Sequence, residues 1–589
     1  MQPFSTSPLH AWQGRTAWHL LDTEFGHGER FLAAWAAWQA DPQRCPLLHV
    51  TGITDGTVHP AQALSNLSPD LAPLAQALAQ QLHGLLPGVH RLSFAQGRVL
   101  LTLWVGDVHS MLRLQSSVAD AVWLSPTFAH DAHSIKALAR HCQRGTVVHS
   151  ESLNTPLQQA LQSGGFVLEA PSPDAPINHA RFDPRWEPRT RAAQPLVARA
   201  PGHALVIGAG LAGAATAHSL ALRGWQVTVL AAGDTPADGA SGLPAGLFCP
   251  HVSPDDSVLS RLSRSGVRLT LQRLRDLCQE GEDWGHTGVL EHCTDGGTGL
   301  PAHWASGPGQ AWSHATDAAT LQAAGLPPET VACWHAQAGW VRPAQLVHAQ
   351  LAHAHIVFRG QSMVAKLHAT EHGTWQALAA DGRVLGHGDI AIVAGGPATL
   401  DLLPQGTHWP LQAIRGQITW GFHSMQNAYA LPPFPVNGNG NLVTHIPLDS
   451  GQAWVMGSTF ERDVTQMPIS EADQAAAHAV NHAKLSTLLP ASGAPLAPWF
   501  DPQDSRCQPT WGHVRCASHD RLPIAGPVSA AAPGLWAHTA LGARGLTLSV
   551  LCAELIAAQL HGEPLPLDAK LAQHVGTQRL ARAMRHDDF

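Results

Sequence analysis

The chain has 589 residues, of which 44% are hydrophobic and 13% charged, and its formal net charge is −8 at pH 7. This length predicts two or three packed domains, and the composition excludes collagen-like and largely disordered proteins. The negative charge is not the overall basic balance expected of a nucleic-acid binder, although local basic patches are compatible with it.

Signals for targeting and for metal binding are missing. No run of about 18 apolar residues could span a membrane, and the opening stretch "MQPFSTSPLHAWQGR" lacks the apolar core of a signal peptide. The nine cysteines form no CxxC pair, and the 38 histidines show no metal-ligand spacing. These features predict a protein of the reducing cytoplasm that has no metal site and spans no membrane.

The N-terminal region alternates apolar strand patterns with helical patterns, which predicts a parallel α/β sheet. Its candidate strands are Trp18–Leu21, Leu47–Ile53, Val99–Val105, Ala121–Leu124 and Thr146–His149, and its candidate helices are Arg30–Trp38 and Pro156–Gln162. The stretch from Pro171 to Pro201 follows and contains seven prolines. Because proline fixes φ and lacks a backbone donor, we expect a linker there rather than a core element.

The second region opens with a nucleotide-binding pattern, "HALVIGAGLAGAATAHSLALRGWQVTVL". Strand Ala204–Ile207 leads into a GxGxxG turn, helix Leu211–Arg223 follows, and Gln226–Leu230 forms the next strand. In such a turn the first glycine (Gly208) bends the chain, the second (Gly210) admits a pyrophosphate, and the third (Gly213) lets helix and strand pack closely. The alternative is a glycine turn that serves packing alone.

One expected residue is missing from this pattern. An acid should end the second strand to hold the ribose hydroxyls, but that place reads "VLAAGD". Either Asp234 reaches the ribose or the backbone holds it. The later segments "GASGLPAGLFCP", "AIVAGGPA", "IRGQITW" and "LGARGLT" indicate a cofactor domain whose parts lie at both ends of a long region. That arrangement is typical of flavoproteins and favours FAD over NAD.

These segments resemble the D-amino-acid oxidase family, close to glycine and sarcosine oxidases. Together with "GWVRPAQL", "VRCASHDRLPIAGPV" and "LCAELIAAQLHGEPLPLDA", they resemble the FAD domain of the MnmC family, which fuses a methyltransferase to such a domain. "DTEFGHGERFLAAWAAW", "RLSFAQGRVLLTLWVGD" and "ADAVWLSPTFAH" are similar to that family's methyltransferase part.

The resemblance implies the domains and the reaction. An α/β Rossmann-like methyltransferase domain would occupy residues 1–185, a linker 186–202, and an α+β FAD-dependent oxidoreductase with an inserted substrate domain 203–589. The substrate would be a tRNA wobble uridine. The FAD domain would remove the carboxymethyl group of 5-carboxymethylaminomethyl-2-thiouridine, and the other domain would methylate the resulting amine from SAM.

It also implies residues that contact FAD and residues that hold the substrate. The expected cofactor contacts are Gly208, Gly210, Gly213, Asp234, Ser241, Gly242, Gly246, Gly395, Gly542, Gly545 and Leu546. The substrate's carboxylate needs a fixed cation, for which the arginine fork is suited. Arg515 is the first candidate, with Arg415 and Arg544 as alternatives that could face the flavin or the phosphates instead. Each of the three could also form a structural ion pair.

The methyltransferase part departs from the family at three contact points. The family's SAM loop reads roughly ETGFGTG, whereas this loop reads "DTEFGHG", so Glu24 replaces a glycine while Asp22, Gly26 and Gly28 remain. Thr54 stands where an acid would hold the SAM ribose, with Asp55 one step late, and Asp107 of "WVGD" could contact the adenine side. Ser125 replaces an aspartate that would face the amine. We therefore expect SAM to bind weakly or not at all; the alternative is that Asp131 or Asp120 has taken over.

Two other functions fit less well. A small-molecule glycine or sarcosine oxidase would not need a nucleotide-handling partner domain, and a non-enzymatic flavin scaffold would not need intact cofactor motifs. Phosphate contacts to tRNA could come from Arg579, Arg582 and Arg585, which recur every three residues. A solvated helix face is the alternative. The pattern carries no information on oligomeric state.

Overall fold

The structure, a computed structural model, describes residues 11–58, 69–169, 178–186, 199–294 and 296–583. Its contacts divide the chain into two units. Unit 1 contains the described residues up to Ala200 together with Ala557–Ala572, and unit 2 contains Pro201–Ile556 and the described residues from Gln573 onward. No helix of the described residues is long and apolar enough to cross a membrane.

Unit 1 is an eight-stranded sheet with helices between the strands, as far as the described residues reach. The strands are β1 Ala17–Asp22, β2 Leu47–Thr54, β3 Gly88–Phe94, β4 Val99–Val105, β5 Ala119–Trp123, β6 Cys142–His149, β7 Phe166–Glu169 and β8 His179–Phe182. The helices are α1 Glu29–Ala40, α2 Ala72–Gln81, α3 Val108–Leu114, α4 Ala132–Ala139 and α5 Thr155–Ser163.

The strand order is β3-β4-β2-β1-β5-β6-β8-β7. The five central strands run parallel, as the sequence predicted. The edges correct that prediction, because β3, β8 and β7 pair antiparallel. The order in which strands are added to the sheet reverses at β1, whose neighbours are β2 and β5. In open parallel sheets ligands bind beyond the carboxyl ends of the strands at such a reversal.

The proline-rich stretch is only partly a linker. Ala180 and Phe182 are buried in β8, so this segment contributes to the core and the linker prediction is wrong there. The stretch could be read as a linker because its prolines flank the strand without interrupting it. Residues 187–198, most of the predicted linker 186–202, lie outside the described residues.

Unit 2 is built on a six-stranded sheet and a nine-stranded sheet, counted over the described residues. Its strands are β9 His203–Ile207, β10 Gln226–Leu230, β11 Gly246–Phe248, β12 Trp284–Gly285, β13 Val289–His292, β14 Ser313–Ala315, β15 Ala332–His335, β16 Gly339–Val341, β17 Ile356–Arg359, β18 Lys366–Ala369, β19 Trp375–Leu378, β20 Val384–Gly388, β21 Ile390–Val393, β22 Leu411–Phe422, β23 Val436–Gly438, β24 Gly440–Leu448, β25 Gly451–Gly457, β26 Glu461–Arg462, β27 Trp511–Ser518, β28 Ile524–Pro527 and β29 Leu535–Thr539.

The helices that follow the linker are α6 Leu211–Ala221, α7 Val258–Leu277, α8 Ala318–Ala323, α9 Pro343–Leu351, α10 Thr399–Leu402, α11 Glu471–Leu488, α12 Pro490–Leu496, α13 Gly545–His561, α14 Ala569–Val575 and α15 Gln578–Ala583. The six-stranded sheet has the order β17-β10-β9-β21-β29-β28, and its first five strands are parallel. The strand order reverses between β9 and β21, so this sheet too has a ligand position at the carboxyl ends of its strands.

The nine-stranded sheet carries β14-β15-β13-β23-β24-β25-β22-β26, with β27 paired to β22 within the described residues. Its strands come from residues 289–335 and 411–518, and β17 and β21 of the six-stranded sheet lie between these two segments in the chain. The sheet is the candidate for the inserted substrate domain, which stays a prediction. Two three-stranded sheets, β11-β16-β12 and β18-β19-β20, complete the described part of the unit.

The segment 557–572 belongs to unit 1 and not to the predicted domain 203–589. Three contacts hold it there. Arg91 donates to the Pro564 carbonyl, the Arg199 N–H donates to the Leu560 carbonyl at 3.0 Å, and His49 Nε2 lies 3.5 Å from a Glu563 oxygen. The sequence could not predict this because the partners lie hundreds of residues apart.

Candidate functional site

The glycine turn after β9 is shaped by close backbone approaches. Gly208 has φ +113°, and a Cβ there would lie 2.4 Å from the Ala394 carbonyl oxygen. A Cβ on Gly213 would lie 1.8 Å from the Gly208 carbonyl oxygen. These two positions need glycine for the fold itself. A Cβ on Gly210 would meet only the Ser241 hydroxyl, at 2.9 Å.

Ser241 lies directly over the start of α6. Its Oγ accepts a hydrogen bond from the Leu211 N–H at 3.0 Å. The loop that carries it is tied to the glycine turn, because the Ala237 N–H donates to the Ala209 carbonyl at 3.0 Å. Gly242 continues this loop, and a Cβ there would lie 2.8 Å from the Ala237 carbonyl oxygen. The structure therefore brings Ser241 and Gly242 to the turn, as expected.

A second helix begins at the same place. A Cβ on Gly545, the first residue of α13, would lie 3.1 Å from Leu211 Cδ1 in α6. Leu546 contacts the strand β11, since a Cβ on Gly246 would lie 2.9 Å from Leu546 Cδ1. The N-termini of two long helices thus meet at one cradle. Their N–H groups and dipoles favour an anion such as a pyrophosphate.

The remaining predicted cofactor residues lie at the same sheet edge. Gly395 follows β21, and its N–H nitrogen would be 3.3 Å from a Cβ on Gly208. Gly542 has φ +55° and donates from its N–H to the Cys516 carbonyl at 2.8 Å, which joins the loop before α13 to β27. Asp234 is exposed, and Gln361 Nε2 donates to its carboxylate at 3.1 Å. Asp234 therefore stands at the carboxyl ends of β10 and β17.

This cradle fits a dinucleotide. Glycine at its centre leaves the space that a side chain would fill, and two helix N-termini point to that space. The described residues around it supply backbone donors and one hydroxyl, with no carboxylate at the end of β10. The ribose is therefore left to Asp234 or to backbone groups, as the sequence suggested.

Arg515 lies on the strand face that turns toward this cradle. Alternate residues of a strand share a face, and on β27 its companions are Trp511, His513 and Ala517. A Cβ built on Gly242 would lie 3.9 Å from the Trp511 side chain, and one built on Gly239 would lie 3.7 Å from His513. A Cβ built on Gly542 would lie 3.6 Å from Ala517. Their contacts place Arg515 on the cofactor side of the strand.

The Arg515 guanidinium crosses β22 above Gly416, where a Cβ would lie 2.5 Å from Nη2. Nη2 donates to the Thr459 carbonyl at 3.2 Å, and the guanidinium carbon lies 4.8 Å from the centre of the Phe460 ring. No carboxylate of the described residues pairs with Arg515. Burial lowers the pKa of its guanidinium. Arg515 is thus a cation without a counter-ion in the described part of the chain.

Lys484 lies beside this arginine. Its Nζ is 5.2 Å from the centre of the Phe460 ring and donates to the Ser458 carbonyl at 2.7 Å. Burial and the nearby Arg515 charge lower the pKa of Lys484. Phe460 itself is 57% exposed. The sequence analysis missed Phe460 and Lys484 because nothing in the spacing of either residue signals this contact.

Arg415 has a structural role. It is 3% exposed, and its Nη2 lies 2.5 Å from Glu461 Oε2 and 2.8 Å from Asp473 Oδ2. Its Nη1 donates to the Gln466 carbonyl at 3.1 Å. With all three nitrogens engaged, Arg415 forms the ion pair that was the alternative reading of this residue, and it offers no free fork to a substrate.

Arg544 immediately precedes α13 and is half-buried. Burial and the neighbouring Arg521 charge lower the pKa of Arg544, whereas Glu291 and Cys249 act in the opposite direction. This cation and the acid Glu291 therefore lie close enough to influence each other beside the cradle. The sequence did not single out Glu291.

In unit 1 the two substituted positions, Glu24 and Ser125, are in contact. The Ser125 hydroxyl donates to Glu24 Oε2 at 2.5 Å, and the Ser125 N–H donates to the Thr23 hydroxyl at 2.9 Å. Both residues stand at the carboxyl ends of β1 and β5, where the strand order reverses. The Glu24 carboxylate is thus held against Ser125 in the loop where the sequence predicts that a cofactor would need bare backbone.

Asp22 is engaged by the protein. It is 1% exposed and lies 3.2 Å from Arg30 Nη1, and it also accepts the Glu24 N–H at 3.0 Å. Burial raises the pKa of Asp22 to about 7, although Arg30 and the Glu24 N–H favour its ionised form. Gly26 and Gly28 have φ +58° and +99° in the same loop.

The other acids of unit 1 have structural partners. Asp107 caps α3 by accepting the Ser110 N–H at 2.8 Å, and Asp131 caps α4 through the N–H groups of His133 and Ser134. Asp120 accepts the His19 N–H at 2.9 Å. The alternative that Asp131 or Asp120 has replaced the missing aspartate stays a prediction, as does the adenine contact of Asp107.

The C-terminal arginines are only partly described. Arg579 Nε donates to Asp520 Oδ2 at 2.9 Å, and its Nη2 donates to the Leu522 carbonyl at 3.0 Å. These contacts make Arg579 a structural residue. The side chain of Arg582 and all of Arg585 lie outside the described residues.

Comparisons with known proteins agree with this division of the chain. Residues 203–559 match the family described as FAD dependent oxidoreductase. The tRNA 5-methylaminomethyl-2-thiouridine biosynthesis bifunctional protein MnmC of Delftia acidovorans is 51% identical over 97% of this chain and 93% of its own length. The protein of the same name from Paracidovorax citrulli is 50% identical, with the same two coverages. Glycine oxidase from Geobacillus kaustophilus is similar over 62% of this chain and 97% of its own, with 16% identity and TM-score 0.47.

Proposed function

Since this chain belongs to the MnmC family of bifunctional tRNA-modifying proteins, we propose that it acts on the wobble uridine of tRNA. Unit 2 removes the carboxymethyl group from 5-carboxymethylaminomethyl-2-thiouridine and leaves 5-aminomethyl-2-thiouridine. The observation that carries this proposal is an unpaired, half-buried arginine, Arg515, on the strand that borders a dinucleotide cradle.

FAD bound in the cradle would supply the hydride-accepting chemistry of this reaction. Gly208, Gly210 and Gly213 would seat its pyrophosphate, with Ser241, Gly242, Gly246, Gly395, Gly542, Gly545 and Leu546 around it and Asp234 near the ribose. What the protein adds is orientation: it must hold the substituent's CH₂ against the cofactor and keep its carboxylate fixed.

Arg515 is the residue that we propose for the carboxylate. A guanidinium binds a carboxylate through two parallel hydrogen bonds, and a buried cation that lacks an acid partner gains most from such a ligand. Arg544, which also stands beside the cradle, is the alternative. Arg415 is set aside because Glu461 and Asp473 already occupy its guanidinium.

The tRNA itself is a proposed partner. Phe460 is an exposed ring between the cations of Arg515 and Lys484, and single-stranded RNA bases stack on such aromatic side chains while cations attract phosphates. None of the nine cysteines forms a disulfide bond, which supports a place in the reducing cytoplasm.

Nucleoside analysis of tRNA tests the proposed reaction. Cells that lack this protein should accumulate 5-carboxymethylaminomethyl-2-thiouridine, and the purified holoenzyme should convert it to the aminomethyl nucleoside with release of glyoxylate. Identical tRNA nucleosides with and without the protein would reject the proposal.

Unit 1 should bind SAM weakly or not at all, because the Glu24 carboxylate occupies the loop and is held there by Ser125. Calorimetric titration of SAM into the full chain should give no saturable heat. Glu24→Gly should increase SAM affinity by at least about tenfold, the effect of 1.4 kcal/mol. Asp70→Asn, which removes one negative charge at an exposed position of the same unit, is the control and should change nothing.

A second assay separates binding from methylation. Incubation of the full protein with SAM and aminomethyl-uridine tRNA should give no methylated product. Tight SAM binding together with methylation would show that the site works with Glu24 and Ser125 in place. Binding without product would locate the defect at Ser125, and Ser125→Asp would then be expected to gain activity.

A further inference from the structure

One carboxylate is held in place by side chains from the two strands that flank its own. Glu291 of β13 accepts a hydrogen bond from Asn437 Nδ2 of β23 at 2.9 Å, and its Oε2 lies 2.9 Å from His335 Nε2 of β15. His335 is fully buried, and its Nδ1 lies 2.7 Å from Ser313 Oγ. Ligand-binding side chains are usually supported in this way, because the supporting hydrogen bonds fix their orientation.

This carboxylate borders the cofactor cradle. The Cys249 thiol, a Glu291 oxygen and a His335 ring nitrogen all lie within 4.8 Å of one another. Cys249 follows β11, and its N–H donates to the Thr547 hydroxyl in the first turn of α13 at 3.4 Å. Glu291 is therefore placed next to the helix start that faces the cradle.

The surroundings keep Glu291 ionised and place a cation nearby. Burial opposes ionisation, but the hydrogen bonds from His335 and Asn437 outweigh it, so the pKa of Glu291 lies below its ordinary value. The other titratable groups that act in this cluster are His251, Arg544 and the thiols Cys249, Cys293 and Cys333. A negative charge thus stands beside the Arg544 cation at the cradle.

We propose that Glu291 is the counter-ion for the substrate's secondary ammonium group. The carboxymethylaminomethyl substituent is an N-alkylated glycine, which carries a positive nitrogen and a negative carboxylate on either side of one CH₂. Glu291 would bind the nitrogen while Arg544, the alternative to Arg515 and the arginine whose charge interacts with Glu291, binds the carboxylate. The CH₂ between them would then be fixed against the cofactor. The inference rests on the proposed function and adds the residue that selects an amine.

Two ligands that cannot be oxidised by loss of a carboxymethyl group test this charge pairing. They are tRNA with 5-aminomethyl-2-thiouridine, which is cationic, and synthetic tRNA with 5-hydroxymethyl-2-thiouridine, which is neutral and of similar size. Equilibrium binding to the holoenzyme should favour the cationic form by roughly 10- to 100-fold, the scale of a hydrogen bond to a charged group.

Glu291→Gln should reduce this preference to nearly one and leave the affinity for the hydroxymethyl tRNA unchanged. Glu291→Asp, which keeps the charge, should retain part of the preference. Glu282→Gln, an equal change of charge at an exposed position of the same unit, should keep all of it. Flavin content reports whether each variant is folded.

Three results would overturn the inference. They are an unchanged preference in Glu291→Gln with normal flavin content, no preference in the wild type, and a stoichiometric metal ion in the wild type that this variant loses. Reduction of the wild-type flavin by carboxymethylaminomethyl tRNA is measured separately. If the wild-type flavin is not reduced, the proposed function is rejected. If it is reduced but Glu291→Gln does not change the binding preference, only the role of Glu291 is rejected.

Discussion

Gly210→Leu should yield a folded but colourless protein. Gly210 has φ −87°, an ordinary value for any residue, so leucine introduces no backbone strain. Its side chain would instead extend past the Ser241 hydroxyl, 2.9 Å from the position of its Cβ, into the space between the starts of α6 and α13. The pyrophosphate needs that space. Flavin absorbance per chain, measured after purification, should fall to near zero.

The control is Gly297→Leu, because a Cβ at Gly297 meets nothing within 4 Å. This variant should keep its full flavin content. Gly208 and Gly213 are unsuitable for the same test, since added side chains there would collide with backbone and damage the fold as well. A Gly210→Leu protein with full flavin occupancy would remove the assignment of the cradle.

Arg515→Ala should lose about 2–5 kcal/mol of transition-state binding, the range for a buried charge left without its partner. The effect should appear in kcat/KM for flavin reduction by modified tRNA, while flavin content stays normal. The control is Arg462→Ala, which removes an exposed arginine from β26, the strand on the other side of β22. This variant should retain wild-type kinetics.

The arginines differ in what their loss should change. Arg415→Ala would leave Glu461 and Asp473 without their cation, so it should lower thermal stability more than it lowers the activity of the folded fraction. Wild-type kinetics in Arg515→Ala would reject its assignment and transfer the carboxylate to Arg544.

Local patterns predicted the cofactor cradle well. The turn at Gly208, the helix after it and the strand Gln226–Leu230 are encoded by neighbouring residues, so a sequence pattern identifies them. Five of the eight described strands of unit 1 were also predicted to within four residues, because apolar runs and turns alternate there, whereas β3, β7 and β8 were not predicted.

Contacts between distant residues could not be predicted. Glu291 is separated from His335 by 44 positions and from Asn437 by 146, and no spacing rule links them. Glu24 and Ser125 stood out singly as departures from a family pattern, but only the structure shows that they are hydrogen-bonded across 101 positions. The edge strand His179–Phe182 was missed because the prolines around it mask a short apolar alternation.

Anaerobic reduction of the flavin tests the account most directly. The holoenzyme is mixed without oxygen with tRNA that carries the carboxymethylaminomethyl group, or with sarcosine at the same concentration, and the visible flavin band is followed. We expect the tRNA to bleach the band far faster than sarcosine does. Equal bleaching by sarcosine would contradict the account and identify a small-molecule amine oxidase.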